Sequence, residues 1–198
     1  SDISYAEALG YRIKLLALIK QEDSNVQMRV HPALIPARSL LGNVAGVHNA
    51  VWVRGDTVGD TMYYGQGAGR QATASAVVAD IVDVGLNLKF GSHRRVPAFK
   101  PHAGYAHVIP MADVQVRYYL RLQVQNKPGV LAQISGVLGE RNISIASVTQ
   151  HEVSGETAPL VILTYKAKEA DMQAALARIN ELAVVTEKPV MLRIEDLD

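Results

Sequence analysis

Two glycine turns hold the residues whose types and spacing could do chemistry. In the first, Asn126-Lys127-Pro128-Gly129 interrupts an alternating strand and opens a helix. The backbone N–H groups of Gly129 to Ala132 lie at the start of that helix. They form a partly positive end able to hold a carboxylate or a polar side chain. Gly129 lets a ligand approach the backbone closely. The same turn could also do no more than join a strand to a helix. In the second, Gly65, Gly67 and Gly69 separate Tyr63-Tyr64 from a helical run over 70–86. Arg70 stands where GxGxxG needs its third glycine, so the dinucleotide fingerprint fails, and no GxxxxGK[ST] loop is present. These glycines either allow tight helix–sheet packing or offer a backbone surface to a ligand.

Other chemistry is sparse. Lys14 and Lys20 fall on a half-buried strand, where lysines usually lie on a solvated face. None of the six histidines pairs with another at metal-ligand spacing, so no metal is expected. The absence of cysteine excludes disulfides, thiolate metal sites and a cysteine nucleophile. The chain has 198 residues, 48% hydrophobic and 20% charged, with net charge +1. That suits one or two ordinary soluble domains and gives no reason to expect nucleic acid or an acidic membrane as partner. No apolar run reaches the roughly 18 residues of a membrane span, and no signal pattern opens the chain. A cytoplasmic setting is compatible with this. The chain begins inside what reads as a core element, so it reads as a piece of something longer.

The elements that must position these turns follow from periodicity. Residues 1–9 read as a short helix with Ser4 as its cap. Residues 11–20 and 26–35 alternate and are expected to form an antiparallel hairpin. A second hairpin is expected from 49–54 and 61–64, with Trp52 a core or interface aromatic. Val77, Val78, Ile81 and Val82 make the following helix apolar over much of its surface, so burial is expected. Residues 87–113 carry Pro97, Pro101, Pro110 and the basic group His93-Arg94-Arg95, and read as a connector with a solvated basic surface.

Beyond it, Tyr118, Leu120, Leu122 and Val124 alternate with Arg117, Tyr119, Arg121 and Gln123, which marks a strand with one buried face. Val130, Leu131, Ile134, Val137 and Leu138 form one apolar helical stripe, with Pro128 in the first turn and Asn142 a left-handed stop. Strands are expected from 143–153, 158–165 (apolar on both faces) and 184–194, with Pro189 suggesting an edge or bulge, and a helix over 168–182. The order from 117 to 194 is β-α-β-β-α-β, a ferredoxin-like arrangement. The fold class is therefore α+β: a partial mixed or antiparallel sheet with packed helices, followed by this βαββαβ unit.

The unit, with NKPGVLAQISGVLGERN and ISI, resembles the ACT domain, a module that binds small molecules, often amino acids, and regulates metabolic enzymes. The upstream segments LGYRIKLLALIK, HPALIP, NAVWVRGDTVGDTMYYGQGAG and TASAVVADI resemble the C-terminal part of bacterial homoserine dehydrogenase. Segment order and the ACT unit both match that family, and the joint match covers almost the whole chain.

The resemblance implies reduction of aspartate semialdehyde to homoserine with NADPH or NADH, on the route to threonine, methionine and isoleucine. It implies that residues 1–112 are the later part of the catalytic and dimerisation domain with a connector, and that 113–198 are the ACT domain. The nucleotide-binding fold and the catalytic lysine signature of the family would lie before Ser1. No catalytic residue is therefore expected in this chain, and Lys14 is not a substitute.

Gly65, Gly67 and Gly69 match a family loop near the nicotinamide half of NADP or NAD, although Ala72-Thr73 stands where the family often has Pro-Thr. Asn126, Gly129, Val130, Leu131, Ile145 and Gln150 match positions near effector sites, which implies L-threonine or a similar amino acid as effector. Self-association through the substrate-domain sheet, the ACT domains, or both is implied as well. A stand-alone amino-acid-binding or oligomerisation module is the alternative. Another ACT-bearing enzyme of amino-acid metabolism fits less well, because GQGAGRQATASAVVADI belongs to the dehydrogenase resemblance.

Overall fold

The computed structural model describes residues 2–92, 107–151 and 153–197. In chain order the elements are α1 (Asp2–Ala8), β1 (Tyr11–Glu22), β2 (Asn25–Pro36), β3 (His48–Gly55), β4 (Gly59–Gln66), α2 (Arg70–Phe90), β5 (Gln115–Gln125), α3 (Val130–Glu140), β6 (Ile145–Gln150), β7 (Thr157–Thr164), β8 (Ala167–Lys168), α4 (Glu169–Asn180) and β9 (Val190–Ile194). They pack as two units, 1–42 with 105–198, and 43–104. The basic group His93-Arg94-Arg95 and the prolines at 97 and 101 lie outside the described residues.

In the first unit the expected hairpin is present. Strands β1 and β2 pair antiparallel from Tyr11 opposite Pro36 to Glu22 opposite Asn25, and the turn is closed by Asp23 at φ 53°. Ser4 sits inside α1 and does not cap it. The expected βαββαβ order is also present, as β5-α3-β6-β7-α4-β9, with the two-residue β8 added against the start of β5. The sheet order is β1-β2-β9-β5-β7-β6. All neighbours are antiparallel except β2 and β9, which pair in parallel at Ala33–Arg193 and Leu34–Ile194. The front hairpin thus extends the sheet of the back module.

Strand β5 explains why the sheet is thick. Tyr118, Leu120, Leu122 and Val124 are buried with Val130, Ile134, Leu138, Leu160, Ile162, Met172 and Ile179, beneath α3 and α4. Each large apolar side chain so covered contributes about 1.5–3 kcal/mol relative to exposure. The opposite face was expected to be solvated, but Tyr119 is only 1% exposed there. Helix α1 covers it, and Ala6, Leu34, Tyr119, Val161, Leu163 and Ile194 form a second, smaller core. The Tyr119 hydroxyl donates to Asp2 Oδ1 (2.9 Å), and Arg121 reaches both Asp2 oxygens (2.6 and 3.1 Å). Those guanidinium bonds hold the Asp2 carboxyl below its ordinary range. Helix α1 is therefore fastened to the central strand at its first turn.

The last strand is shorter than the expected 184–194. Val185 makes only an isolated antiparallel bridge to Val124, and the continuous ladder starts at Val190, just after Pro189, which has no N–H to give. Strand β9 is not an edge, because β2 occupies its outer side.

The second unit is a two-stranded sheet of β3 and β4 with the helix α2. Burial of α2 was expected, and this expectation is corrected. No described residue of α2 is buried, and Val77, Val78, Ile81 and Val82 are all more than half exposed. A helix apolar around its circumference needs cover on several sides, and one hairpin supplies too little. Trp52 is also only half-buried, with the Arg54 guanidinium 4.9 Å above its ring.

Besides Asp2, three titratable groups in the first unit shape its response to acid. Burial alone would raise the Glu169 and Glu195 carboxyls. Hydrogen bonds from Arg193, Gln173 and Tyr118 to Glu169, and from Lys20 and Arg29 to Glu195, outweigh burial and leave both below the ordinary 4.5. Burial holds His31 below the ordinary 6.5. Unfolded His31 therefore takes a proton as pH falls through about 6.5 while the folded ring resists it, so acid favours unfolding. The carboxylates add stability above about 4.5 that drains away as pH falls through their lowered values. All three act in one direction. Denaturant midpoints are expected to fall from pH 7.5 to pH 5.5 and to fall again below 4.5, and His31→Asn is expected to flatten the first step. A midpoint that rises on acidification contradicts this account.

Candidate functional site

The turn at the end of β5 is built by two local features. Gly129 lies at φ 86° and ψ −8°, a left-handed conformation that costs glycine little, and it forms the N-cap of α3 without a side-chain cap. Pro128 stands one residue before that cap, in the turn rather than in the helix. The first intrahelical bond of α3 runs from Gln133 N–H to the Gly129 carbonyl (3.1 Å), which leaves the earlier amides at an open, partly positive end. Space is available there, because a Cβ built on Gly129 meets nothing within 4 Å.

Asn126 braces the other side of this turn. Its backbone N–H donates to the Glu156 carbonyl (2.8 Å), and its Nδ2 donates to the carbonyls of Val153 (3.4 Å) and Gly155 (3.3 Å). The Oδ1 atom is left as an acceptor. An open cleft of about 360 Å³ is lined by Asn126, Gln150, His151 and Val153. Two of the residues chosen from sequence, Asn126 and Gln150, thus meet in one place.

The other four do not line that cleft. The Val130 side chain is buried in the core beneath α3, so only its backbone can meet a ligand. Leu131 belongs to the expected apolar stripe but is 42% exposed. Ile145 packs half-buried against the core. His151 and Val153 were not singled out from sequence. They follow β6 and carry no motif, and only the turn back toward Asn126 brings them to the cleft.

The glycine turn of the second unit has a different character at each position. A Cβ on Gly65 meets nothing within 4 Å. A Cβ on Gly67 would collide with the Asn49 side chain of β3, 1.9 Å from its Nδ2, so Gly67 is packed against the neighbouring strand rather than against a helix. Gly69 lies at φ 115° and ψ 147°, a region that belongs almost only to glycine, and the space before it is open. Thr73 N–H donates to the Gly69 carbonyl (3.0 Å), so the amides just before it begin α2 without helical partners. Gly65, Gly69 and the start of α2 form a backbone surface that a polar ligand can approach closely. Among the described residues no group of three or more His, Cys, Asp or Glu could hold a metal ion.

Of the two lysines, Lys20 departs from its expected solvated role. It donates to the buried Glu195 carboxylate at 2.8 Å.

A βαββαβ layer with an open left-handed glycine after its first strand is the architecture of an ACT-type module. Residues 118–184 match the ACT domain, and residues 1–82 match the family described as homoserine dehydrogenase. The chain belongs to the homoserine dehydrogenase family and corresponds to the C-terminal part of its members. It is 43% identical over 203 residues to a homoserine dehydrogenase of Pseudomonas aeruginosa, covering 100% of this chain and 47% of the relative. It is 47% identical over 201 residues to one of Neisseria gonorrhoeae, covering 99% and 46%. A crystal structure of a homoserine dehydrogenase from Thiobacillus denitrificans matches with TM-score 0.85 and 46% identity, over 100% of this chain and 45% of that one. The chain thus spans about half the length of the relatives it matches.

The sole tryptophan, Trp52, lies in the second unit, so its fluorescence reports on that unit. Gly69→Ala is expected to lower the stability of this unit by about 1–3 kcal/mol because of its backbone angles, and Gly65→Ala by less than about 1 kcal/mol. Equal midpoints for the two variants in fluorescence-detected unfolding would contradict the geometry described.

Proposed function

We propose that this chain is the C-terminal portion of a homoserine dehydrogenase, an oxidoreductase that interconverts L-homoserine and L-aspartate 4-semialdehyde with NADP or NAD. In this reading residues 1–112 are the later part of the catalytic and dimerisation domain with its connector, and 113–198 are a regulatory ACT domain. The setting is cytoplasmic biosynthesis of threonine, methionine and isoleucine. The observation that carries the reading is the joint match of both halves, in family order, to homoserine dehydrogenases.

The nicotinamide cofactor would meet this chain at Gly65, Gly67 and Gly69. The open backbone at Gly65 and Gly69 supports close approach, and Gly67 fixes the turn against Asn49. When bound, the cofactor supplies the hydride. This chain's own contribution is to position and enclose, since catalytic groups are expected elsewhere in such enzymes.

An amino-acid effector, L-threonine or one similar, fits the first turn. Its carboxylate would meet the amides at Gly129, Val130 and Leu131, and its ammonium the Asn126 Oδ1 and Gln150 side chain, beside Ile145. Self-association is supported by the apolar face of Leu15, Ile19, Met28 and Val30, all more than half exposed, and by the outer strand β6. The exposed apolar surface of α2 disfavours the stand-alone module, because such a helix requires cover.

Calorimetric titration of the 198-residue chain with L-threonine is expected to show saturable binding. Gly129→Asp is expected to weaken it by about tenfold or more, since a carboxylate then faces the ligand's carboxylate, and to lower the melting temperature modestly, because residue 129 sits at φ 86°. Wild-type chain that takes up no threonine contradicts that effector. Unchanged affinity in Gly129→Asp removes this turn from the site.

A further inference from the structure

The region that matches homoserine dehydrogenase ends at residue 82 and the ACT match begins at 118, yet parts of both share one sheet. The seam is the parallel pairing of β2 with β9. Its ladder is short: two register pairs, extended by Glu195 N–H donating to the Leu34 carbonyl (2.9 Å). So few backbone bonds make a weak join for a hairpin of two twelve-residue strands. Side chains must do the rest.

Glu195 follows directly after β9 and its side chain is 1% exposed. Lys20 of β1 donates to Oε2 at 2.8 Å, and Arg29 of β2 donates through Nη2 to Oε1 at 2.6 Å. His31 Nε2, also from β2, lies 4.0 Å from Oε1. Arg29 Nη1 donates to Gln27 Oε1, and Gln27 donates to Glu22. One buried carboxylate of the back module therefore gathers cationic groups from both strands of the hairpin. Arg29 Nε and His31 Nε2 are buried without a hydrogen-bond partner among the described residues. A buried charge that loses its partners is strongly disfavoured, so Glu195 holds Lys20 and Arg29, and with them both strands of the hairpin, to the end of β9.

We propose that Glu195 couples the ACT sheet to the front hairpin, so that the two move as one body and a ligand signal crosses at the β9–β2 seam. The signalling half of this proposal rests on the effector reading above; the mechanical half does not. Strand β5, which ends at the effector turn, pairs with β9 over Arg117–Arg121, and β9 pairs with β2, so the path from ligand to hairpin is continuous hydrogen-bonded sheet.

Amide hydrogen exchange of the 198-residue chain tests this in two arms. Without ligand, Glu195→Ala is expected to speed exchange in Tyr11–Pro36 by about tenfold or more, with the β5 and β7 amides little changed. Lys20→Met, which removes the most exposed partner and should fold normally, is expected to act in the same direction more weakly. Equal acceleration throughout the sheet, or none in the hairpin for either variant, overturns the proposal. In the second arm, L-threonine is expected to slow exchange at 126–133 and in the hairpin of the wild type, but only at 126–133 in Lys20→Met. Hairpin protection by threonine in both chains overturns the signalling half. If threonine leaves the wild type unchanged everywhere, the effector reading fails, and the ligand-free arm alone decides the role of Glu195.

Discussion

The constraint on which the rest of this structure depends is that β5 must be covered on both faces. A strand with only Tyr118, Leu120, Leu122 and Val124 buried could sit in a free-standing ferredoxin-like module. Tyr119 changes that. Its ring lies on the opposite face, and its hydroxyl needs a partner once water is excluded. Helix α1 supplies both cover and partner, through Ala6 and the Asp2 carboxylate. The first residues of the chain are thereby tied to the centre of the back module, more than a hundred positions away. Arg117 repeats the pattern, bonding to Tyr11 Oη (3.3 Å) and Asp196 (2.8 Å).

Function inherits this arrangement. The strand covered on both faces ends at an open stretch of backbone, the Gly129 turn. A rigid support beneath an exposed set of amides is what a small charged metabolite requires, because the donors are already oriented when it arrives. The second unit shows the reverse balance. Its helix α2 carries apolar residues on all sides and buries none among those described, so its contribution to function depends on surfaces other than its own hairpin.

Much of this was legible in the sequence where local chemistry decides the outcome. Alternation gave both hairpins and β5, the apolar stripe gave α3, and Asn142 at φ 55° is the left-handed stop its residue type suggested. What could not be read was set by contacts between distant segments. Tyr119 looked solvated because nothing in its neighbourhood announces α1. Lys20 looked like surface because Glu195 is 175 positions away in sequence. His151 and Val153 entered the cleft only through the fold of the β6–β7 loop. The expected burial of α2 failed for a complementary reason: periodicity states what a helix needs, not whether its own unit provides it.

The central claim is that a rigid β5 presents the 126–132 backbone to an amino acid. Nitrogen–proton correlation spectra of the 198-residue chain during titration with L-threonine test it most directly. The account predicts that the largest shift changes fall at Gly129 to Ala132 and at Gln150 to Val153, with the amides of 70–90 unmoved. Changes concentrated at Gly65 to Gly69, or spread evenly with none at Gly129, would contradict it.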